Sequence, residues 1–422
     1  MVFIPTSGHI NFLERFESVA QHLVRAAPII FDKARGAELF DEKGNRYIDF
    51  WAAGGVLSHG HNDIKVCTAL IDYICNDRIV QTCDKASLAK RRFVETFVTT
   101  ILEPRKFDYR LLFTDAASGT AAEVALRLAR RHKGRTGVIA FTNASHGLTE
   151  GSLTASSRRP GRWEHIEGKR NGVFMPFCGY FGEGTDTIAY LRRYLEDSAS
   201  GVDHPAAIIV EPVQVHGGVH VASPAWLKNL ELLCQQFGIL LVVDESHTGC
   251  GRIGPYFGFE RANIRPDMVI VPNSIAGGLP LSLLLMRSEL DQWRPGEAVG
   301  IFQGDALSFV AASELLNHWS DERASETEQR GHIIGDELSK LCDSYPALRV
   351  RGTGMLWGLD FGRPAAAAVV SGWALECGLV IEPARIKDDV LLIQPPLTID
   401  ESVLREGLQR LSQVVAMFFA RT

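Results

Sequence analysis

The sequence predicts an α/β fold built on a mostly parallel sheet. Such a sheet, covered by helices on both faces, needs strands that are apolar throughout. Five runs fit this description: LLFT at 111–114, GVIAF at 137–141, AAIIVEP at 206–212, ILLVVDE at 239–245 and MVIV at 268–271. Between them, amphipathic patterns such as 121–132 and 224–237 predict the helical crossovers that join parallel strands. The order strand, helix, strand is therefore the main evidence for the fold class.

The remainder of the chain predicts a smaller α+β unit. A helical pattern runs from 306 to 342 and is followed by the short apolar run GLVIEP and a final helix at 401–420. We expect an N-terminal arm around 29–49 to join this unit. The predicted domains are an arm with part of the small domain at 1–50, a large domain at 51–305, and an interdomain helix with the small domain at 306–422.

Composition and charge argue against a nucleic-acid-binding, membrane or disulfide-rich protein. The 422 residues are 46% hydrophobic and carry a net charge of -6, with no basic stripe of the kind that binds nucleic acid. No run reaches the roughly 18 to 20 apolar residues of a membrane span, and the N-terminus lacks a signal-peptide layout. The eight cysteines show no paired spacing, which indicates reduced thiols rather than disulfides or zinc ribbons. We therefore expect a cytoplasmic protein without a metal, a membrane partner or a nucleic-acid partner.

A first group of small residues stands between a predicted strand and a predicted helix. Ser118, Gly119 and Thr120 follow FTDAA and precede the pattern at 121–132. Free backbone N–H groups and small hydroxyls at such a junction can hold a phosphate. An ordinary helix cap is the simpler alternative.

Acidic residues end two other predicted strands. Asp244 and Glu245 close the run at 239–245, and Glu211 closes the run at 206–212. A carboxylate at such a position can hold a cationic ring nitrogen, or it can cap the turn. Because open α/β sheets bind ligands at the carboxyl ends of their strands, we expect these groups to share one site with the small residues.

Longer motifs carry a resemblance to a known family. SGT, VEPVQ, VDESHTGCGRIG, PDMVIVPNSIAGGLPL and GIFQGDAL follow, in order and spacing, the motifs of class III pyridoxal-phosphate aminotransferases. YIDFWAAGGVLSHGHND and GYFGEGTDTIAYLRRYLEDSASGVD look more narrowly like the diaminobutyrate aminotransferases of ectoine synthesis. The resemblance covers about 29–399. It implies a fold type I PLP-transferase, a small amino acid or amine substrate, and a homodimer with the site at the subunit interface.

The resemblance gives special weight to Asn273 in VPNSIAGG. The family has at this position the lysine that binds the cofactor covalently and moves protons during transamination. No lysine lies between Lys228 and Lys340. An amide side chain is neither a nucleophile nor a base near neutral pH. We therefore expect pyridoxal phosphate, pyridoxamine phosphate, or an adduct of pyridoxal phosphate with an amino acid to bind noncovalently, and we do not expect ordinary transamination.

Other positions also depart from the family's pattern. Ser145 in NASHG replaces the aromatic residue that stacks on the pyridine ring. Ile301 in GIFQG replaces the threonine that, in the family, contacts the cofactor's phosphate from the partner subunit. His247 replaces a glutamine near the phenolic oxygen of the cofactor. Val215 and His216 replace a Gly–Glu pair in EPVQVHGG. Several changes in one site indicate natural divergence.

Part of the family's cofactor site is retained. The resemblance assigns Asp244 to the pyridine nitrogen, assigns Ser118, Gly119 and Thr120 to the phosphate, and matches Glu211 to a strand-end glutamate. Some members have an arginine for an α-carboxylate three residues before the PPL motif. That position is Leu392 here, so we do not expect 2-oxoglutarate as a substrate.

Three functions follow from these residues. The first is an enzyme with altered chemistry that uses His247 or His146 as acid or base. The second is a silent subunit that supports an active relative, although such a subunit should keep the threonine it lends to its partner. The third is a pocket turned to another ligand, with His216, His220, His247 and Cys250 as metal ligands. We favour the first.

Overall fold

The structure of the chain is a computed structural model. The structure describes residues 15–18, 29–82, 85–116, 118–157, 172–182, 184–297, 300 and 303–421.

The strands within these residues are β1 (Phe31–Arg35), β2 (Glu38–Asp41), β3 (Arg46–Asp49), β4 (Tyr109–Thr114), β5 (Val138–Phe141), β6 (Gly172–Met175), β7 (Ala207–Val210), β8 (Val213–Gln214), β9 (His220–Val221), β10 (Leu240–Asp244), β11 (Met268–Val271), β12 (Ser282–Arg287), β13 (Arg349–Thr353), β14 (Leu356–Asp360), β15 (Leu379–Val380), β16 (Glu382–Pro383) and β17 (Val390–Ile393). The α-helices are α1 (Ile64–Cys75), α2 (Leu88–Phe97), α3 (Ser118–Lys133), α4 (Glu150–Thr154), α5 (Thr187–Glu196), α6 (Pro224–Phe237), α7 (Ala306–Leu316), α8 (Asp321–Ser344), α9 (Ala366–Glu376) and α10 (Glu401–Arg421).

A seven-stranded sheet with the order β4-β12-β11-β10-β7-β5-β6 forms the larger layer. The strand β12 runs antiparallel to both its neighbours, and the remaining neighbours pair in parallel. The central strands are buried at every residue, which is why their sequences read as continuous apolar runs. The predicted strand at 268–271 matches β11, and the predicted helix at 224–237 matches α6. The α/β fold class is confirmed.

Besides the two-stranded sheet of β8 and β9, two four-stranded sheets stand beside this layer. One has the order β1-β2-β3-β15, so a strand from near the C-terminus pairs in parallel with the N-terminal arm. The other has the order β13-β14-β17-β16. Apolar residues of the arm, such as Ile48 and Phe50, share a core with Leu338 of α8 and Leu411 of α10. The boundaries proposed for the three domains stay a prediction.

The helical pattern predicted from 306 to 342 is not one helix. α7 ends at Leu316, and α8 begins at Asp321 with the Ser320 hydroxyl accepting a hydrogen bond from the Arg323 N–H at 3.3 Å. Between the two helices, the Trp319 ring packs against Tyr256, with 5.0 Å between the ring centroids. This half-buried loop residue is apolar, so the apolar pattern of the sequence continues through the break. Serine is a strong helix N-cap, and its position marks the new start.

The junction at 118–120 also differs from its prediction. These residues were predicted to lie between strand and helix, but α3 already begins at Ser118. They form the first turn of the helix, where backbone N–H groups have no partner within the helix. Among the described residues, no helix is long and apolar enough to cross a membrane.

The packing of α10 provides a stability prediction. A Cβ atom at Gly407 would lie 2.4 Å from Cζ of the buried Phe50 ring. We expect Gly407→Ala to destabilise the chain by about 1 to 2 kcal/mol, because overpacking outweighs the gain in helix propensity. Gly372 in α9 has no neighbouring atom within 4 Å of its Cβ position, so Gly372→Ala is the control and should stabilise by about 0.5 to 1 kcal/mol. Thermal unfolding of both variants tests the difference, and equal midpoints would contradict it.

Candidate functional site

Four neighbouring strands bring the predicted residues to one edge of the main sheet. The strands β11, β10, β7 and β5 lie side by side and run in parallel. Asn273 follows β11, Asp244 ends β10, Glu211 follows β7, and Ser145 and His146 follow β5. The carboxyl ends of parallel strands meet at one edge of a sheet, which is where ligands of such folds bind, and these five residues lie there. We call this edge the strand-end crevice.

A buried carboxylate and an imidazole form the centre of the crevice. The Asp244 carboxylate lies 2.7 Å from Nδ1 of His146, and both side chains are almost inaccessible to solvent. The backbone N–H and hydroxyl of Ser246 donate to the other carboxylate oxygen of Asp244. Burial alone raises the pKa of Asp244, but the hydrogen bonds and charge of His146 and the Ser246 donors bring it below its ordinary value. The carboxylate is therefore ionised at neutral pH.

Glu211 lies next to this centre and differs from Asp244 in charge state. The backbone N–H of Ser145 donates to its carboxylate at 3.0 Å. Burial raises the pKa of Glu211 well above its ordinary range, and the negative charge of Asp244 raises it further. Two nearby carboxyl groups thus favour opposite protonation states, as is common where one must stay charged and the other must donate a hydrogen bond.

Glu245 has a structural role. Its carboxylate accepts hydrogen bonds from the backbone N–H groups of Gly258 and Phe259, both at 2.9 Å, and from the Thr248 hydroxyl. Burial raises the pKa of Glu245 to about 7. Asp244, the last residue of β10, borders the crevice, whereas Glu245, which follows it, caps the next turn.

Asn273 joins the crevice to the first turn of α3. Its amide Nδ2 donates to the backbone carbonyl of Ala116 at 3.1 Å, two residues before the helix. Its Oδ1 is buried and has no hydrogen-bond partner among the described residues. The chain continues as a short 3-10 helix to Ala276 and turns at Gly277, whose φ of 60° is in the left-handed region. The amide side chain thus offers one open acceptor to the crevice.

The backbone around α3 is packed tightly against the loop after β5. A Cβ atom at Gly147 would lie 2.3 Å from Cα of Gly119, so both positions need glycine. The Thr149 hydroxyl, at the end of this loop, donates to the Glu123 carboxylate of α3 at 2.7 Å. Thr120 lies in the same first turn. The side chain of Ser118 and the whole of Ile301 lie outside the described residues.

Two imidazoles line the crevice beyond Asp244. The rings of His216 and His247 meet edge to face, with 4.8 Å between their centroids. Nδ1 of His247 is buried without a hydrogen-bond partner in the described part of the chain. Burial lowers the pKa of His247 to about 4, although the charge of Asp244 acts in the opposite direction. His247 is therefore neutral at neutral pH, and its ring can take up a proton only transiently because a group with this pKa releases the proton readily.

The metal-ligand set proposed from His216, His220, His247 and Cys250 is not assembled. The structure brings His216 and His247 together, while His220 lies in β9 opposite Gln214. Within the described ranges, no group of three or more His, Cys, Asp or Glu residues is placed to hold a metal ion.

Sequence reasoning missed two parts of the crevice. It named His146 as an acid or base, but did not anticipate that His146 contacts Asp244, since 98 positions separate them. It also passed over Ser246, whose two hydrogen bonds to Asp244 could have been suspected from its position two residues later.

Comparison with known proteins bears on the whole chain. The family model for class-III aminotransferases matches residues 19–415. A diaminobutyrate–2-oxoglutarate transaminase of Wolinella succinogenes is 47% identical over 409 residues, which is 96% of each chain. A protein of the same name from Halalkalibacterium halodurans is 41% identical and covers 94% of each chain.

This chain belongs to the class-III aminotransferase family. The resemblance seen in its motifs is thereby confirmed. The crystal structure of an ornithine aminotransferase from Toxoplasma gondii superimposes with a TM-score of 0.84 at 24% identity, covering 98% of this chain and 96% of that one. An N-acetylornithine aminotransferase from Stenotrophomonas maltophilia gives a TM-score of 0.76 at 24% identity and covers 98% and 100%. Fold type I is therefore the fold of this class-III aminotransferase.

The crevice of this family member is chemically suited to a polar ligand. Three of its buried polar atoms have no hydrogen-bond partner among the described residues: Oδ1 of Asn273, Nε2 of His146 and Nδ1 of His247. More than nine in ten buried polar groups of native proteins have a partner, so such atoms in one crevice indicate a ligand or bound water. The ionised Asp244 complements a cation, and the first turn of α3 complements an anion.

Proposed function

We propose that this chain is an aminotransferase-like enzyme that binds pyridoxal phosphate or pyridoxamine phosphate without a covalent bond and acts on an amino acid or amine. The observation that carries the proposal is Asn273 after β11, together with the lack of any lysine between Lys228 and Lys340. The proposed noncovalent binding and altered chemistry distinguish this chain from an ordinary transaminase.

The crevice residues fit such a cofactor as a noncovalent ligand. Asp244, ionised and buried, would accept the hydrogen bond of a protonated pyridine nitrogen. Backbone N–H groups at Gly119 and Thr120 would hold the phosphate at the first turn of α3. Ser145 supplies its backbone N–H to Glu211 and offers the ring no aromatic surface. When bound, the cofactor supplies an electron sink for reactions next to an amino group.

Three residues of the chain have separate proposed roles in hydrogen bonding, proton transfer and positioning. Asn273 can hydrogen-bond a ligand through Oδ1 but cannot take up a proton. His247 is the proposed base because burial keeps its ring neutral. His146 holds the Asp244 carboxylate through a buried hydrogen bond, so it acts as a positioning residue in this proposal.

The substrate class follows from the family and from one buried residue. The relatives' names specify diaminobutyrate and 2-oxoglutarate, and we propose an amino acid or amine as substrate here. Leu392 lies in β17, is 1% exposed and packs in a cluster with Val213, Val219 and Ile253. An apolar side chain in this cluster offers no charge to a carboxylate, which argues against 2-oxoglutarate as the acceptor.

A substitution at His247 distinguishes an altered enzyme from a silent subunit. His247→Gln restores the family's residue and should leave pyridoxamine phosphate affinity nearly unchanged, while lowering turnover about 100-fold or more if His247 is the base. Calorimetry measures the affinity, and single-turnover assays with a panel of amino acids measure the rate. Because the pKa of His247 lies at about 4, the acid limb of the wild-type pH profile should lie near that value rather than near 6.5. Turnover that survives the substitution contradicts the role of His247, and a wild type without turnover favours the silent subunit.

We further propose that the chain forms a homodimer through the face of α1 and the segment that follows it. Ile71, Ile74 and Ile79 are 62%, 54% and 60% exposed, which is a large apolar surface for a solvated face. A second copy of the chain would cover it, in line with the interface that the family resemblance implies.

Sedimentation equilibrium tests this interface. The wild type should sediment at twice the monomer mass of 46.5 kDa, and Ile71→Glu with Ile74→Glu should shift it to the monomer because charges would be buried unpaired. Leu232 on α6 is 49% exposed outside this face, so Leu232→Glu should leave the dimer intact. A wild-type monomer, or a dimer that survives both glutamates, would contradict the proposed face.

A further inference from the structure

A separate cavity of about 220 Å³ lies where the start of α8 meets the loops before α1 and α10. His59, Trp319, Arg323 and Thr398 contribute to its wall, and none of Asp244, His247 and Asn273 does. Drug-sized ligands occupy pockets of about 300 to 1,000 Å³, so this cavity is too small for a nucleotide or a pyridine cofactor. It has room for a small ion with a few waters, since one water takes about 30 Å³ of liquid.

The wall of this cavity carries a positive charge that has no counter-ion among the residues the structure describes. The Arg323 side chain is half-buried and has no hydrogen-bond or ion-pair partner within the described part of the chain. The second arginine of the wall, Arg330, pairs with Glu326 at 3.2 Å, and Glu326 is the one carboxylate among the described residues that line the cavity. A half-buried guanidinium with five free N–H groups favours an oxyanion as its partner.

His59 adds an open ring nitrogen to the same wall. Its Nδ1 is buried and has no hydrogen-bond partner among the described residues. Burial, followed by the charge of Arg323, lowers the pKa of His59 to about 4, while Asp63 acts in the opposite direction. A neutral imidazole can place its hydrogen on Nδ1 and donate it to a ligand. The Thr398 hydroxyl donates to the His59 backbone carbonyl at 3.0 Å and so fixes this part of the wall.

A buried arginine behind this wall strengthens the positive field. The Arg252 side chain is 2% exposed and donates to the carbonyls of Met355 and Pro395 and to the Ser58 hydroxyl, all of them neutral. Its charge lowers the pKa of His59 and thus reaches the cavity. In a half-buried site such charges are screened less than on the surface.

We propose that this cavity binds a small oxyanion, the chemical class of inorganic phosphate and short carboxylates, through the Arg323 guanidinium and the His59 ring N–H. Bound there, the anion neutralises Arg323 and contacts residues before α1, at the start of α8 and before α10. The cavity therefore serves as an anion site separate from the strand-end crevice.

Titration with two probes tests the site. Inorganic phosphate and succinate are each added to the full chain while heat and tryptophan fluorescence are recorded, because the Trp319 ring lines the cavity. We expect saturable binding of at least one of them. The tighter probe identifies whether the preferred ligand is phosphate or carboxylate. Absence of saturation by either anion at about 10 mM, tenfold above a Kd of about 1 mM, would overturn the proposal.

Variants assign the binding to this cavity rather than to the first turn of α3. Arg323→Gln should weaken the tighter probe at least tenfold and remove the fluorescence change. Trp319→Phe should remove the fluorescence change and keep the heat. Arg405→Gln changes an exposed arginine paired with Glu401 and serves as the charge control. Should Arg323→Gln fail to fold, Arg323→Met decides by the same criterion, and wild-type affinity in the folded variant overturns the proposal.

Discussion

Asn273→Lys should give a protein that borohydride links covalently to pyridoxal phosphate, whereas the wild type should give none. The substitution restores an amine at the end of β11, where the amide now contacts Ala116 and the crevice. A neutral amine attacks the cofactor's carbonyl, and an amide does not. Peptide mapping after reduction measures the outcome, and we expect the pyridoxyl group on residue 273 alone.

The extent of rescue is informative in its own right. Ser145 still lacks an aromatic face and residue 301 is still isoleucine, so we expect cofactor attachment with poor turnover. Adding Ser145→Phe and Ile301→Thr should tighten binding further. Lys228→Arg, added to Asn273→Lys, is the matched control. Lys228 pairs with Glu231 on α6 and should not carry the pyridoxyl group, so its removal should leave the labelling of residue 273 unchanged. A pyridoxyl group on any lysine of the wild type would refute noncovalent binding, and full activity from Asn273→Lys alone would show that positions 145 and 301 matter little.

Asp244→Ala should weaken pyridoxamine phosphate binding by one to two powers of ten. A hydrogen bond between a buried carboxylate and a protonated ring is worth about 1.5 to 3 kcal/mol, and 1.4 kcal/mol corresponds to tenfold in affinity. The carboxylate is held ionised by His146 and Ser246, so the full charge is available to the ligand at neutral pH. Isothermal calorimetry of the wild type and the variant measures the difference.

Two further variants separate loss of the ligand contact from damage to the fold. Asp244→Asn keeps the shape and can still hydrogen-bond His146, so it should fold like the wild type and bind nearly as poorly as Asp244→Ala. Glu245→Gln changes the neighbouring carboxyl group, which caps the turn at Gly258 and Phe259, and should lower thermal stability more than affinity. Wild-type affinity in Asp244→Asn would refute the proposed contact with the ring nitrogen. Failure of the wild type to bind pyridoxamine phosphate at millimolar concentration would refute the cofactor proposal itself.

The main sheet was predictable because its strands are buried on both faces. A residue such as Ile270 has apolar neighbours on either side in the sequence and in space, so the local pattern carries the structural information. The break between α7 and α8 was missed for the opposite reason. Trp319 continues the apolar pattern in the sequence, but it lies in the loop between the two helices and packs there against Tyr256.

The site was predictable in position but not in detail. Strand ends meet at one edge in any such sheet, so Asp244 and Glu211 could be placed together from the sequence. Their charge states could not, since they depend on the donors that reach each carboxylate across the fold. The same holds for Glu245, whose partners Gly258 and Phe259 lie 13 and 14 positions further along the chain.

The contact between Gly119 and Gly147 brings two parts of the crevice into direct backbone packing. At Gly119 and Gly147 the backbone of the first turn of α3 meets the loop that carries Ser145 and His146, and the Thr149 hydroxyl donates to Glu123. The distance between the helix start and the His146–Asp244 pair is therefore set by the backbone rather than by adjustable side chains. A ligand that bridges both must match this span, so the length of a ligand as well as its charge decides whether it fits the crevice.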